Sequence, residues 1–200
     1  MKKICFLVLL LSGCAPLQTS FPPSPTIHAL WQTHQTHLTA LKNWRLNGTI
    51  SITREEENWR ARVYWQQQDS YYQLRFNAPM GQGALLLEGN DNQVVMRTAN
   101  NETFVARDPE TLVAKVLKLE LPVSHLYFWI RGLPNPNLYT HQLKFKKTGY
   151  LHALQQAGWE IEYGEYLKFN ENEIELPKQI FLNNNQFQVK MVISPWNIES

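Results

Sequence analysis

From residue 44 onward, apolar and polar side chains alternate with a period of two. Trp44, Leu46, Gly48, Ile50 and Ile52 take every second place over 44–53, with Arg45, Asn47, Thr49, Ser51 and Thr53 between them. The same alternation puts Trp59, Ala61, Val63 and Trp65 on one side of 59–66, and Tyr72, Leu74 and Phe76 on one side of 71–77. Successive side chains of a strand point to opposite faces, so this pattern predicts an antiparallel sheet with one face in oil and one in water. Arg-Glu-Glu-Glu-Asn at 54–58 reads as a polar hairpin loop. Strands continue at 84–88, 93–98 and 102–106, and resume near 141–147, 150–155, 159–166, 178–183 and 186–193. Gly149, Gly158 and Asn183-Asn184-Asn185 mark turns between them.

Three stretches follow a helical period instead. Ile27, Leu30, Trp31, His34, Leu38 and Leu41 recur at three- and four-residue spacing, which predicts a helix from Thr26, as its N-cap, to about Lys42. Asp108, followed by Pro109 and Glu110, starts a second helix whose apolar stripe is Leu112, Val113, Val116 and Leu117. A short third helix, about Ser124 to Arg131, carries Leu126, Tyr127, Trp129 and Ile130 and stops at Gly132.

The fold class is therefore mainly β, of α+β type. It is a single antiparallel sheet of roughly ten or eleven strands with three helices. A sheet that wide twists and curls, and its apolar faces must look toward the inside of the curl. The helices can fill that hollow as an ordinary core or roof it as the lid of a pocket, and periodicity allows both.

The first residues have another character. Lys2 and Lys3 precede an apolar run from Ile4 to Leu11, too short to span a bilayer, and Leu11-Ser12-Gly13-Cys14 follows at once. This order resembles a bacterial lipobox, with 1–13 removed as signal and Cys14 carrying lipid. Ala15 stands where an Asp would imply inner-membrane retention, so the resemblance implies the periplasmic face of the outer membrane. Pro16, Pro22, Pro23 and Pro25 make 14–26 a semi-rigid, lipidated tether, and 27–200 is read as one domain.

Composition narrows the chemistry. Cys5 leaves with the signal and Cys14 is lipidated, which leaves no thiol for a disulfide, a nucleophile or a zinc site. Of 19 Lys and Arg, Lys2 and Lys3 belong to the signal, so basic and acidic residues then balance at 17 each and no nucleic-acid footprint remains. Asn47-Gly48-Thr49 and Asn101-Glu102-Thr103 match glycosylation sequons, taken as chance behind a bacterial lipobox. His34 and His37 could pair on a metal, but no third ligand stands at a telling distance. HExxH and GxSxG motifs are absent. No metal, cofactor or enzymatic activity is expected.

Trp44-Arg45-Leu46-Asn47-Gly48, Trp65-Gln66-Gln67-Gln68, Pro79-Met80-Gly81 and Trp129-Ile130-Arg131-Gly132-Leu133-Pro134, behind the lipobox, resemble the LolB family in order and spacing. The resemblance covers the whole chain. It implies an unclosed β-barrel with a three-helix lid over an apolar cavity. It also implies a receptor, expected as a monomer, that takes lipoproteins from the periplasmic carrier LolA. Their acyl chains would pass into the inner leaflet of the outer membrane. Periodicity then selects the lining from the strands: Leu46, Ile50, Ile52, Val63, Trp65, Leu74, Phe76, Leu85 and Leu87. From the lid it selects Trp31, Val116, Leu117, Leu126, Trp129 and Ile130. Pro79, Met80 and Gly81 occupy the place of the family's membrane-delivery loop, with Met80 where leucine is usual. On pattern alone Met80 is either exposed at that turn or folded back on the core. Two other classes compete: a lipid-anchored protein that clamps an envelope partner, and a periplasmic hydrolase with a site assembled from distant segments.

Overall fold

A computed structural model of the chain describes residues 24–77, 83–168 and 174–198. The signal, Cys14, most of the tether and the Pro79-Met80-Gly81 turn lie outside the described residues.

Helix α1 (Pro25–Ala40) opens the described chain. Its N-cap is Ser24 rather than Thr26, because Pro25 takes the first helical position, where its missing N–H costs nothing. Ser24 Oγ accepts from Ile27 N at 3.4 Å. Trp31 and Leu38 are buried, whereas Leu30, expected on the same face, is 38% exposed. His34 stacks on Tyr150 at 3.7 Å between ring centres, and its Nε2 lies 3.0 Å from the Thr148 carbonyl.

Six strands follow as a meander: β1 (Asn43–Arg54), β2 (Glu57–Gln68), β3 (Tyr71–Asn77), β4 (Ala84–Gly89), β5 (Val94–Arg97) and β6 (Thr103–Ala106). Helices α2 (Pro109–Leu117) and α3 (Val123–Trp129) come next. The second half holds β7 (Thr140–Phe145), β8 (Leu151–Gln156), β9 (Trp159–Tyr163), β10 (Tyr166–Lys168), β11 (Glu175–Pro177), β12 (Gln179–Asn183) and β13 (Gln188–Ile198). Among the described residues, eleven strands form one antiparallel sheet in the order β6-β5-β4-β3-β2-β1-β13-β12-β9-β8-β7, and β10-β11 is a separate ribbon. The first and last strands thus meet in the middle. The two free edges, β6 and β7, flank the segment that contains α2 and α3. The sheet is an unclosed barrel, and the two helices belong to the connection across its open seam.

Three strand expectations also need correction. The loop at 54–58 is a two-residue turn, Glu55-Glu56, with Arg54 paired to Glu57 across the ladder. Charged residues there sit opposite their counter-charges (Arg54 Nη2 to Glu57 Oε2, 2.6 Å) instead of leaving the sheet. The strand at 159–166 breaks at Gly164-Glu165, where Gly164 N donates to Gln179 O at 3.0 Å. The last strand does not stop at 193. A register shift opposite Leu46–Gly48 absorbs the cis Ser194-Pro195 pair as a bulge and returns Trp196 to the interior. Trp196 Nε1 donates to Pro177 O at 3.0 Å.

Two features lock the curvature and the first half of the sheet. A Cβ on Gly48 would lie 2.5 Å from the Val192 carbonyl oxygen, so glycine alone permits the close approach of β13 to β1. On β4, Glu88 accepts from Gln73 Nε2 at 2.7 Å and from Tyr71 Oη at 3.3 Å, and also pairs with Arg97. The Gln73 hydrogen bond, followed by those of Arg97 and Tyr71, holds its carboxyl below the ordinary value against the opposing effect of burial.

Gly48→Ala is expected to destabilise the domain by about 1–3 kcal/mol through forced overpacking at the central strand pair, read as a lower urea midpoint. A carboxylate with a lowered folded pKa contributes stability that is present above its unfolded pKa and is lost as pH falls through the folded value. Urea unfolding of Glu88→Gln across the acid range should therefore show a shallower loss of stability than the parent.

Candidate functional site

The inner face of the sheet carries two rows of cross-strand neighbours. One runs Phe104, Met96, Leu87, Leu74, Trp65, Leu46 and Trp196, from the free edge β6 to β13. The next runs Ala106, Val94, Gly89, Tyr72, Gln67 and Trp44. The first row is apolar throughout, and the second turns polar at its centre. Gln67 is buried there because both ends of its amide are used. Its Oε1 accepts from Trp65 Nε1 at 3.2 Å and its Nε2 donates to Asp69 O at 2.8 Å.

The helices are fastened over these rows by polar contacts. Arg131, just beyond α3, is 2% exposed. Its Nη1 donates to Leu38 O at 3.1 Å and Leu41 O at 2.7 Å, at the end of α1, and its Nε donates to Tyr127 O at 3.0 Å. The guanidinium also lies 4.1 Å from the Tyr127 ring centre. Burial lowers its pKa, yet an arginine keeps its charge in a protein, so these acceptors must replace its water shell. The carbonyl end of a helix carries the negative end of its dipole and suits that cation. On the other side, Glu110 of α2 accepts from Ser124 N at 2.7 Å and Ser124 Oγ at 3.0 Å. It thereby caps α3, whose own N-cap position, Pro122, makes no side-chain bond. Trp129 Nε1 donates to Gln156 Oε1 at 3.0 Å, and the same fully buried oxygen accepts from Asn135 N at 2.9 Å. Thus α3 is tied to α1, to α2 and to β8 by separate groups.

Where β2 turns into β3, beside the starts of α2 and α3, a cleft of about 700 Å³ remains. That volume suits a small amphiphilic ligand. Its inner wall includes Trp65, Tyr72, Val123, Tyr127 and Phe128, and its rim Lys42, Asp69, Asp91, Arg107 and Asp108. Among the described residues, Tyr72 Oη is buried without a hydrogen-bond partner.

Of the lining chosen from periodicity, Leu46, Ile50, Ile52, Val63, Trp65, Leu74, Leu85 and Leu87 are buried on the inner face. Leu126, Trp129, Ile130 and Trp31 are buried beneath the helices, Trp31 against Phe145. Phe76, Val116 and Leu117 are half-buried and pack on the same cluster, Phe76 beside Trp59 at 5.8 Å between rings. All join one continuous hydrophobic cluster, and among them Trp65 reaches the cleft. Sequence reasoning missed Arg131, Gln156, Glu110 and the cleft wall at Tyr72, Tyr127 and Phe128 as site residues. The alternation does place Tyr72 inward. A lone basic residue ending the apolar Leu126–Ile130 run is the signal that could have marked Arg131.

Comparisons follow the same outline. The family model described as outer membrane lipoprotein LolB matches residues 42–196. The chain is 35% identical over 194 residues to an outer-membrane lipoprotein LolB of Pseudomonas fluorescens, covering 94% of this chain and 91% of the relative. It is 34% identical over 191 residues to that of Nitrosococcus oceani, covering 96% and 94%. Among solved structures, an outer membrane lipoprotein-sorting protein domain from Vibrio parahaemolyticus superposes with a TM-score of 0.58 at 6% identity, over 86% of this chain and 92% of that one. A LolA superfamily protein from Nitrosomonas europaea superposes with a TM-score of 0.53 at 6% identity, over 88% and 93%. At such identities the two structures establish a shared fold.

Arg131→Met removes the donors to Leu38 O and Leu41 O while keeping most of the apolar stem. It is expected to cost about 2 kcal/mol of stability. It should also speed amide hydrogen exchange across α3 more than across β1 and β2, which hydrogen exchange with mass spectrometry would resolve.

Proposed function

Because this chain belongs to the LolB family of outer-membrane lipoproteins, we propose that the apolar interior beneath α1, α2 and α3 is the chamber that receives the acyl chains of its cargo. The protein is a lipid-anchored receptor on the periplasmic face of the outer membrane. It acts in lipoprotein localisation, with lipoproteins as cargo and the carrier LolA as partner. In this reading Cys14 bears the anchor and a single copy of the chain suffices.

The observation that carries the reading is the combination of an apolar inner face running across the sheet with a lid fixed by a few discrete polar contacts. Hydrocarbon transfer to water costs about 0.8 kcal/mol per CH₂. An acyl chain with on the order of ten such groups would cost about 8 kcal/mol to expose. Cargo must therefore pass from the carrier's hollow to this one without crossing water. The same arithmetic supplies direction. A chain moves onward wherever the next site buries it better, and the bilayer is the last and best of these sites. No nucleotide is required.

The strands and helices named above as lining pack together in the closed form. Entry therefore displaces side chains, and it begins at the cleft, the place where α2 and α3 already part from β2 and β3. Displacing α3 would strain its contacts with Glu110, Gln156 and Arg131 one after another, so opening is graded instead of requiring the whole core to melt. The last described residue of β3 is Asn77, two positions before the Pro79-Met80-Gly81 segment. We assign that segment to delivery into the membrane, on its sequence alone.

Two measurements test this. Mixing LolA loaded with a lipoprotein with the anchored receptor should move the cargo to the receptor. Folded Phe76→Asp and Val116→Asp variants, charged at half-buried positions under the lid, should accept at least about tenfold less; undiminished acceptance by both would remove the chamber. Met80→Glu should leave acceptance from LolA intact while slowing release into liposomes, and Met80→Leu should restore release.

A further inference from the structure

Tyr72 is set into the cleft wall by its cross-strand neighbour. It faces Gly89 in the β3–β4 ladder, and a Cβ on Gly89 would lie 2.8 Å from Tyr72 Oη and 2.9 Å from Cζ. Glycine here makes room for the phenol ring to lie flat across the next strand. The hydroxyl at the end of that ring is buried and has no hydrogen-bond partner among the described residues. A phenylalanine would fill the same space without leaving a polar atom unmet, so the oxygen calls for a partner.

The nearby groups do not supply one. Asp108 and Glu110 are the acids whose fields reach the hydroxyl. Asp108 Oδ1 accepts from Thr111 N at 2.7 Å and its Oδ2 from Thr111 Oγ1 at 3.0 Å. Both oxygens of Glu110 accept from Ser124. On the same inner row, the Gln67 amide is turned to Trp65 and Asp69, and none of these groups comes within hydrogen-bond distance of the phenol. Burial first, and the two acids second, push the phenol's pKa well up, so the group stays a neutral donor. The same two carboxylates disfavour an anionic ligand at this point, a phosphate included. What fits is an uncharged acceptor attached to an apolar tail: the carbonyl of a fatty-acid ester, its chain running on past Trp65 toward the lid.

We propose that Tyr72 is a cargo-recognition residue whose hydroxyl donates to an ester carbonyl of the lipoprotein's diacylglyceryl group, with Gly89 as the cradle that holds the ring in place. This rests on the reading of the interior as an acyl chamber. It adds a polar fix that registers the depth of the lipid: chains enter until a carbonyl meets Tyr72, and the glyceryl end stays at the cleft. An ether-linked chain has the same hydrocarbon and lacks the carbonyl.

The test compares two synthetic lipopeptides, one with S-dioctanoylglyceryl cysteine and one with its dioctyl ether counterpart. Each binds the full anchored chain in nanodiscs, with tryptophan fluorescence as the readout. The parent is expected to favour the diester over the diether by about fivefold, in line with the net worth of one hydrogen bond. Tyr72→Phe should abolish that preference while leaving diether binding unchanged. Gly89→Ala, which crowds the hydroxyl from the other side, should reduce the preference as well. A parent indifferent to the linkage, or a Tyr72→Phe variant that keeps the full preference, overturns the proposal while the chamber stands. Failure of the parent to bind either lipopeptide overturns the chamber and the proposal together.

Discussion

A buried guanidinium decides how the roof of this protein sits. Arg131 has left water almost completely, and its ligands are two carbonyls at the end of α1, one carbonyl of its own helix and an aromatic face. Such a charge tolerates few arrangements, because any position that loses one of those oxygens leaves the cation poorly solvated. Hydrophobic contact alone would let short helices slide on an oily sheet. Arg131 removes that freedom by joining the first helix to the third across the interior. The cluster of Trp44, Trp65, Trp196 and Tyr127 rings lies beneath this join, with centres 5.3–6.2 Å apart around Trp44.

The sheet poses the opposite problem. Its strands are paired along the whole width from β6 to β7, and its two ends stay apart. Free edges invite pairing with other chains. Here β6 is four residues long, and β7 is exposed between its half-buried ends and carries Lys144. Short length and charge are ordinary protections for an edge. An unclosed seam with α2 and α3 in its connecting segment also means that a displacement of these two helices need break no strand ladder.

Much of this was legible in the sequence. Period-two alternation places the inner residues of β1, β2 and β3 correctly, since a buried face admits one register. Asp108-Pro109 starts α2 where its chemistry requires. What escaped was of three kinds. Pairing of β1 with β13 joins residues at opposite ends of the chain, and local pattern carries no information about it. Pro195 reads as a strand stop, yet a bulge accommodates it and brings Trp196 inside. Last, the site depends on polar groups whose state is set by distant partners. Alternation turns Tyr72 inward, but only the folded structure shows Thr111 and Ser124 holding the neighbouring carboxylates out of hydrogen-bond reach of its hydroxyl.

β3 runs from the cleft, at Tyr72, to Asn77, its last described residue. Five residues of strand separate the two, roughly 17 Å at the usual rise. On the reading of the interior as an acyl chamber, a lipid whose carbonyl end rests at one gable of this hall has the length of that strand to fill before it nears the other. Tail length would then decide how much of the hall a tenant occupies, much as a ruler laid along one wall.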